Sequence, residues 1–179
     1  LTDPGVASVS LANFKATSVT IPATVVIYGT TYKVTAIDKY GFCQETNNTL
    51  TYTYNGKSYT IDGSRNNNTV LQSVTFKQPS NITTIGSYAF NSCTKLKSIV
   101  IPNSVTSMGT AAFKGCISLT DVRFQTNADG TVNLKTIPTQ CFRYCPFTSI
   151  EIPEGITEIG DEAFQFNFYL KTMKLPNTL

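Results

Sequence analysis

Apolar and polar positions recur in a fixed order along the second half of the chain. Residues 96–116, LKSIVIPNSVTSMGTAAFKGC, align with residues 147–167, FTSIEIPEGITEIGDEAFQFN, on the same apolar positions. A slightly stretched copy covers residues 71–93, and a copy with extra residues around 127–130 covers residues 119–145. Self-similarity at a period of roughly 20–50 residues is typical of repeat architectures. The pattern therefore predicts one repeating unit rather than a conventional globular core.

The repeat phenylalanines measure the period. Phe90, Phe113, Phe142 and Phe164 follow one another at intervals of 23, 29 and 22 residues. The longer interval marks an insertion in one copy. Because a single repeat cannot bury its own apolar face, neighbouring repeats must stack to share a core. We expect the four rings to stack on one another inside that core.

Each copy predicts two extended pieces followed by a turn. In the copy that starts at Leu96, the alternation of side chains points Leu96, Ile99 and Ile101 inward from a first strand. A proline ends that strand, and Val105 and Met108 point inward from a second piece. The Ala-Phe pair that follows is predicted to lie on one helical turn, capped by side-chain oxygens that precede it. The predicted caps are Ser87, Thr110 and Asp161.

The N-terminal part contains a poorer copy and an excursion from the array. Residues 16–42 contain the copy, with a hairpin that turns near Gly29. Residues 50–61 alternate Tyr and Thr around Asn55-Gly56, which is a strong hairpin signal. We divide the chain into an N-terminal cap with a first degenerate repeat (1–42), an inserted β-hairpin and loop (43–70), and one continuous repeat domain (71–179).

The last repeat is incomplete. Residues 170–179 contain LPNTL, which matches the IPNSV that starts an earlier copy, and then the sequence ends. Terminal repeats of soluble arrays need a polar outer face. We therefore expect further protein, or a partner, to cover the apolar strand edge at this end.

A nine-residue motif links the repeat to a known family. Ile-Pro-Asn-Ser-Val-Thr-Ser-Met-Gly at 101–109, followed by Ala-Phe-Lys-Gly-Cys at 112–116, resembles the BspA-like leucine-rich repeats of bacterial and some protozoan surface proteins. The resemblance covers residues 71–179 well and residues 16–42 as the entry to the array. It implies a secreted or cell-surface protein that binds other proteins, often in adhesion, and it implies no catalytic residues. The predicted fold is a leucine-rich repeat solenoid, β-rich with short helical turns (a right-handed β/α-type coil), with a β-hairpin N-terminal cap and one inserted hairpin.

Composition narrows the chemistry further. The 179 residues include no histidine, which excludes an imidazole-activated nucleophile and any zinc site with His ligands. We expect no enzyme activity, cofactor or metal. The net charge of +3 is not clustered, which argues against nucleic acid as a partner. No apolar run reaches the ~18 residues of a membrane span, and the first residues lack a signal-peptide pattern, so either the chain is cytosolic or a leader was removed.

The cysteines follow the repeat. Cys93, Cys116 and Cys145 each lie three residues after a repeat phenylalanine, where Asn167 stands in the last copy. This position predicts buried free thiols, although stacked strands also bring Cys93 and Cys116 within the ~4.4–6.8 Å between Cα atoms that a disulfide needs. The odd total excludes complete pairing. The other two are Cys43 and Cys141, and the C-x-x-x-C spacing of 141 and 145 is too weak to indicate a metal site.

Outward side chains of the first strands form the main candidate binding surface. Because alternate residues face opposite sides of a strand, adjacent repeats should line up one continuous row. The row is Thr75, Val100, Arg123, Glu151 and Lys174, with Lys97, Asp121 and Lys171 as neighbours. Alternating charges make it either a ladder of surface ion pairs, in which Arg123 pairs with Glu151, or a ligand-facing surface. The Asn-rich loops at 62–69 and 126–131 are expected to be mobile.

Two further groups of side chains admit a functional interpretation. Tyr52, Tyr54 and Tyr59 on the inserted hairpin could stack on a sugar or contact a protein, or pack back on the solenoid, because an isolated hairpin is only marginally stable. A carboxylate cluster could supply the acid/base pair of a glycoside hydrolase, but outward strand positions and a helical N-terminus explain it better. The cluster is Glu151, Glu154, Glu158, Asp161 and Glu162.

The sequence thus predicts a non-catalytic, adhesion-type module at the cell surface or outside the cell. Its partner is expected to be a protein, with host extracellular or surface proteins as one class. The alternatives are a structural spacer that displays other domains and a carbohydrate-binding module that uses the hairpin tyrosines.

Overall fold

A computed structural model describes residues 6–9, 16–27, 29–42, 50–54, 57–61, 68 and 70–179. At 6–9, 27, 50–54 and 57–61 it describes the backbone alone. The side chains of Tyr52, Tyr54 and Tyr59 therefore lie outside the described residues. So do Cys43, the Asn55-Gly56 turn and nearly all of the 62–69 loop.

The described part of the chain contains fifteen short strands, joined by turns and loops, and none of its residues is helical. The strands are β1 (Val6–Val9), β2 (Ser18–Ile21), β3 (Thr24–Ile27), β4 (Thr30–Ile37), β5 (Leu50–Tyr54), β6 (Lys57–Ile61), β7 (Ser73–Phe76), β8 (Thr84–Ile85), β9 (Ser98–Ile101), β10 (Ser107–Met108), β11 (Asp121–Phe124), β12 (Thr136–Ile137), β13 (Ser149–Glu151), β14 (Glu158–Ile159) and β15 (Thr172–Lys174). The predicted repeat of two extended pieces is confirmed from β7 to β14.

Corresponding strands of successive repeats pair in parallel. First strands form a sheet in the order β11-β9-β7-β2, followed by the separate pair β13-β15. Second strands form a sheet in the order β1-β4-β8-β10, followed by the pair β12-β14. The sheet of first strands is interrupted between β11 and β13, and the sheet of second strands between β10 and β12. Strands β11 and β12 both belong to the copy with the insertion. Successive repeats therefore follow one another along the solenoid, but neither of its two parallel sheets runs through the whole array.

The N-terminal hairpin and the insertion leave the stack intact. Strands β3 and β4 pair antiparallel around Gly29, whose φ of 78° suits a glycine. Strands β5 and β6 also pair antiparallel, with Tyr54 opposite Lys57, as predicted for residues 50–61. On either side of this excursion, the rings of Phe42 and Phe90 stack with centroids 4.8 Å apart.

The repeat phenylalanines form one column, buried from Phe42 to Phe142 and half-buried at Phe164. Successive centroids are 5.0 Å apart for Phe90–Phe113, 5.4 Å for Phe113–Phe142 and 5.6 Å for Phe142–Phe164, with interplanar angles of 6–20°. These distances are close to the ~4.8 Å between paired strands. The predicted inward residues of the copy at 96–116, including Leu96, Ile101 and Met108, are buried around the column. The predicted core is confirmed.

The predicted helical turn around each Ala-Phe pair is wrong, and so is the β/α-type coil built on it. The residue two positions before the phenylalanine is left-handed in every described copy, with φ between 55° and 60°. These residues are Tyr40, Tyr88, Ala111, Gln140 and Glu162. A left-handed residue costs roughly 1–2 kcal/mol and cannot continue a right-handed helix. A second left-handed residue follows each of the last four phenylalanines by two positions, at Ser92, Gly115, Tyr144 and Phe166.

Hydrogen bonds between repeats explain these conformations. The N–H groups of Ala111, Phe113 and Gly115 donate to the carbonyls of Thr139, Cys141 and Arg143 in the next repeat, at 2.8–2.9 Å. The same pattern runs from 88–92 to 110–114 and from 140–144 to 161–165. We call this ladder, together with the phenylalanines, the turn column. The residues predicted as N-caps instead use their backbone carbonyls: Ser87, Thr110 and Asp161 accept from Tyr40, Tyr88 and Gln140.

Candidate functional site

The predicted outward row lies on the solvent side of the first strands. Thr75, Val100, Arg123, Glu151 and Lys174 are all exposed, as are Lys97 and Lys171, whereas Asp121 is half-buried. Thr75 stands opposite Thr20, Arg123 opposite Val100, and Glu151 opposite Lys174 in the parallel register. We call the five outward residues the strand row.

The charges of the strand row pair differently from the prediction. Arg123 forms an ion pair with Asp121 on its own strand, at 3.0 Å, rather than with Glu151. Glu151 instead pairs with Lys174 across β13 and β15. The hydrogen bond and the charge of Glu151 raise the pKa of Lys174. Exposed pairs of this kind contribute only about 0–1 kcal/mol to stability, so these pairs add little to the stability of the fold.

The sheet break explains why Arg123 and Glu151 do not pair. No ladder in the described chain joins β11 to β13. The inward residues of β11, Val122 and Phe124, are only half-buried, whereas their counterparts Ile99 and Ile101 in the preceding repeat are 2% and 1% exposed. The strand row is therefore not the continuous sheet face that the repeat pattern predicts.

A cleft of about 280 Å³ opens at this break. Its lining residues are Val122, Arg123, Phe124, Thr126, Gly130, Glu151, Pro153 and Glu154. Arg123 lies on the β11 side, and the two carboxylates lie on the β13 side. One oxygen of Glu154 accepts from the backbone N–H and the side-chain amide of Asn177, both at 3.0 Å. The cleft therefore combines an apolar surface with charges of both signs.

The inserted loop that borders the cleft is held in place by hydrogen bonds. Asn133 Nδ2 donates to the carbonyl of Asn103 at 2.7 Å and ties the loop to the preceding repeat. The N–H of Val132 donates to the carbonyl of Glu154 at 2.9 Å and ties it to the following one. Within the loop, hydrogen bonds from the side chain and backbone of Thr131 lower the pKa of Asp129. Asn127 adds hydrogen bonds to Thr131 and to Asn133, and the mobility expected for residues 126–131 stays a prediction.

The cysteines of the repeat pack inside the solenoid, as their position in the repeat predicts. Cys93, Cys116 and Cys145 are buried, and the sulfur of each donates to the carbonyl of the preceding repeat's phenylalanine, at 3.1–3.4 Å. Asn167 takes over this role through its amide, 2.9 Å from the carbonyl of Phe142. Burial raises the pKa of Cys141 and of Cys145, which keeps both thiols protonated and unreactive.

The carboxylate cluster is spread over the surface. Glu158 accepts from the hydroxyl of Thr136, and Glu162 pairs with Arg143 at 3.2 Å. Glu151 and Glu154 share the cleft but are bound by Lys174 and Asn177. Within the described residues, no three Cys, Asp or Glu side chains are grouped so as to hold a metal ion, and no helix could span a membrane.

An exposed aromatic cluster on the turn side was not predicted. The rings of Tyr144 and Phe166 stack at 4.8 Å, and the Arg143 guanidinium lies 5.1 Å and 5.0 Å from their centroids. Phe168 and Tyr169 extend the cluster with 79% and 66% of their surface exposed. The sequence signal was the aromatic residue at 144 and at 166, where the preceding copies have Ser92 and Gly115.

Comparisons with known proteins agree on the architecture. The family model for the BspA type leucine-rich repeat region matches six copies, over residues 6–133 and 135–179. Among curated proteins, none matches the sequence significantly.

Solved structures give the same fold. A leucine-rich repeat protein from Bacteroides ovatus is 30% identical, with a TM-score of 0.65 over 89% of this chain and 33% of its own. The pneumococcal vaccine antigen PcpA is 18% identical, with a TM-score of 0.61 over 94% of this chain and 41% of its own. The chain thus spans well under half the length of these two proteins.

Proposed function

Because the chain belongs to the BspA-type leucine-rich repeat family, we propose that it is a non-catalytic module of a secreted or cell-surface protein, and that it binds other proteins through the strand row. The location follows the family resemblance of the repeat motif. The observation that carries the binding proposal is the presentation of fixed charges on parallel strands that are backed by a buried core.

Rigid presentation favours recognition. The side chains of Arg123, Glu151 and Lys174 are 72%, 64% and 73% exposed, yet the strands that carry them are hydrogen-bonded to neighbours. A backbone that is already ordered loses little entropy when a partner binds. Exposed charges on such a surface mainly speed association and select partners. The row therefore suits a protein partner of complementary charge.

Charge reversal tests the proposal. Full-length chain would first be screened against an array of secreted proteins and receptor ectodomains, and the bound protein taken into surface plasmon resonance. Reversal of Arg123 and Lys174 to Glu should slow association about tenfold at low salt, with a smaller difference at high salt, because steering is screened beyond ~10 Å at 0.1 M salt. The matched control reverses Lys95 and Lys135, two exposed lysines outside the row.

Equal loss in both double variants would reflect net charge alone and would contradict a strand-row site. A chain that binds no protein of the array would favour the structural spacer instead.

The aromatic cluster favours a second candidate, a carbohydrate-binding module. Stacked exposed rings such as Tyr144 and Phe166 offer flat faces to a sugar, and a recess of about 270 Å³ lies between Ile117, Pro146 and the cluster. Glycan-array binding that is lost on Phe168→Ala and kept in the Arg123 and Lys174 variant would support this candidate over the first.

A further inference from the structure

The geometry of the cleft points to a specific mode of binding. We propose that an extended segment of a partner protein enters the cleft, pairs as a strand with the open edge of β11, and places a lysine or arginine beside Glu154. This inference rests on the proposed protein-binding function and specifies where and how one part of the partner binds.

The open edge of β11 supplies the backbone groups for such pairing. The N–H groups of Asp121 and Gln125 donate to carbonyls of the preceding repeat, Lys97 and Ile101. In a parallel ladder, alternate residues direct both N–H and C=O to the same side. The backbone groups of Val122 and Phe124 therefore face away from β9 and into the cleft. No strand of the described chain pairs with them.

Strand β13, on the opposite side of the cleft, also has an open edge. The N–H of Ile152 donates to the carbonyl of Lys174 at 2.9 Å, so the backbone of Glu151 faces the cleft by the same alternation. Unpaired strand edges are templates for another chain, and β-strand addition is an established way for proteins to bind extended peptides. A ligand without an extended backbone would leave these donors and acceptors unused.

The side chains of the cleft define what the segment should carry. Val122 and Phe124 are half-buried because no following strand covers them, and Pro153 lies on the opposite side. Alternate side chains of an added strand would point toward this apolar surface. Small β-branched residues fit a space of about 280 Å³ that must also hold backbone.

The negative charge of Glu154 favours a positively charged side chain at one end of the bound segment. Glu154 forms no ion pair within the described chain, whereas Arg123 is matched by Asp121 and Glu151 by Lys174. The hydrogen bonds from Asn177 use one oxygen of Glu154, and the other oxygen has no such donor among the described residues. A lysine or arginine of the segment would supply it. The loop beside the cleft is hydrogen-bonded to Asn103 in the preceding repeat and to Glu154 in the following one.

The test uses a random twelve-residue peptide library displayed on phage and selected on the full chain. We expect selected peptides with alternating β-branched residues, no internal proline and at least one Lys or Arg. A synthetic selected peptide should bind Glu154→Gln about five- to tenfold more weakly, because this change removes the charge and keeps the acceptor for Asn177. The matched control is Glu158→Gln, on β14 and outside the cleft, which should leave the affinity within twofold.

Backbone methylation tests strand pairing itself. N-methylation of the alternate peptide amides that face β11 should abolish binding, and bound peptide should protect the Val122 and Phe124 amides from hydrogen exchange. Peptides that bind Glu154→Gln and wild type equally, or that tolerate N-methylation at every position, would overturn the proposal. So would a library that yields no binder.

The two proposals can fail separately. If a protein partner depends on Arg123 and Lys174 but ignores Glu154→Gln and gains no protection at β11, the strand-row function stands and the cleft inference fails. If a selected peptide binds the cleft but no protein depends on the strand row, the proposed function fails.

Discussion

Replacement of Phe113 by alanine should lower the free energy of unfolding by about 3–5 kcal/mol, the usual result of emptying a well-packed aromatic site. The ring is fully buried and lies between Phe90 and Phe142, 5.0 Å and 5.4 Å from their centroids. The loss should spread along the array, because each repeat is stabilised by its neighbours. Urea unfolding followed by circular dichroism measures the change.

The matched control is Phe168→Ala, which removes the same ring from a position that is 79% exposed. Exposed substitutions usually change stability by less than about 0.5 kcal/mol. Similar unfolding curves for Phe113→Ala and Phe168→Ala would contradict the buried column.

Gly109→Ala should destabilise the fold by about 3 kcal/mol, at the upper end of the usual cost of overpacking. An added methyl group would collide with the backbone of the preceding repeat, at the nitrogen and the Cα of Ser87. Backbone cannot move aside as a flexible side chain can, so the repeats would have to separate. The corresponding glycines, Gly86 and Gly160, are equally close to the preceding repeat, at 2.5 Å and 2.6 Å.

Gly130→Ala is the control, because it tests the cost of placing alanine in a conformation that suits glycine, without a collision with the neighbouring repeat. Gly130 has a φ of 81° and open space around its Cβ position, so alanine should cost only the roughly 1–2 kcal/mol of a left-handed residue. The comparison is read from thermal melts of both variants. A Gly109→Ala protein as stable as Gly130→Ala would mean that the repeats are not packed as closely as described.

The sequence determines those features that each repeat specifies locally. Phe90 and Phe113 recur at a fixed interval, and Ile99 and Ile101 alternate with polar neighbours, so register, inward residues and stacking could all be predicted. The equivalence of Cys145 and Asn167 was visible for the same reason, because a repeat position has one role in every copy.

The turns could not be predicted because contacts between repeats decide their conformation. Ala111 and Glu162 are acceptable helix residues on intrinsic propensity, but both are left-handed. The N–H of Ala111 donates to the next repeat, and the carbonyls on either side of Glu162, at 161 and 163, accept from the preceding one. The helix propensity of a residue does not decide its conformation where hydrogen bonds between repeats satisfy the backbone N–H and C=O groups. The residues next to one phenylalanine do not show which hydrogen bonds the neighbouring repeats will make with them.

The cleft escaped prediction for a related reason. The extra residues around 127–130 were evident, but their number does not say which strands they separate. The structure shows that the insertion divides both sheets while Phe113 still stacks on Phe142. The candidate site thus lies where the repeat pattern fails, between two parts that the pattern describes well.

The solenoid is continuous along the turn column and open between β11 and β13. Residue-resolved amide hydrogen exchange on the free chain reads out both features. We expect strong protection of the Phe113 and Gly115 amides, which bond to the next repeat, and of the Gln125 amide, which bonds to Ile101. The amides of Val122 and Phe124 should exchange at least a hundredfold faster than that of Gln125, although all three are neighbours. Equal protection of Val122, Phe124 and Gln125 would show a closed sheet and contradict the account.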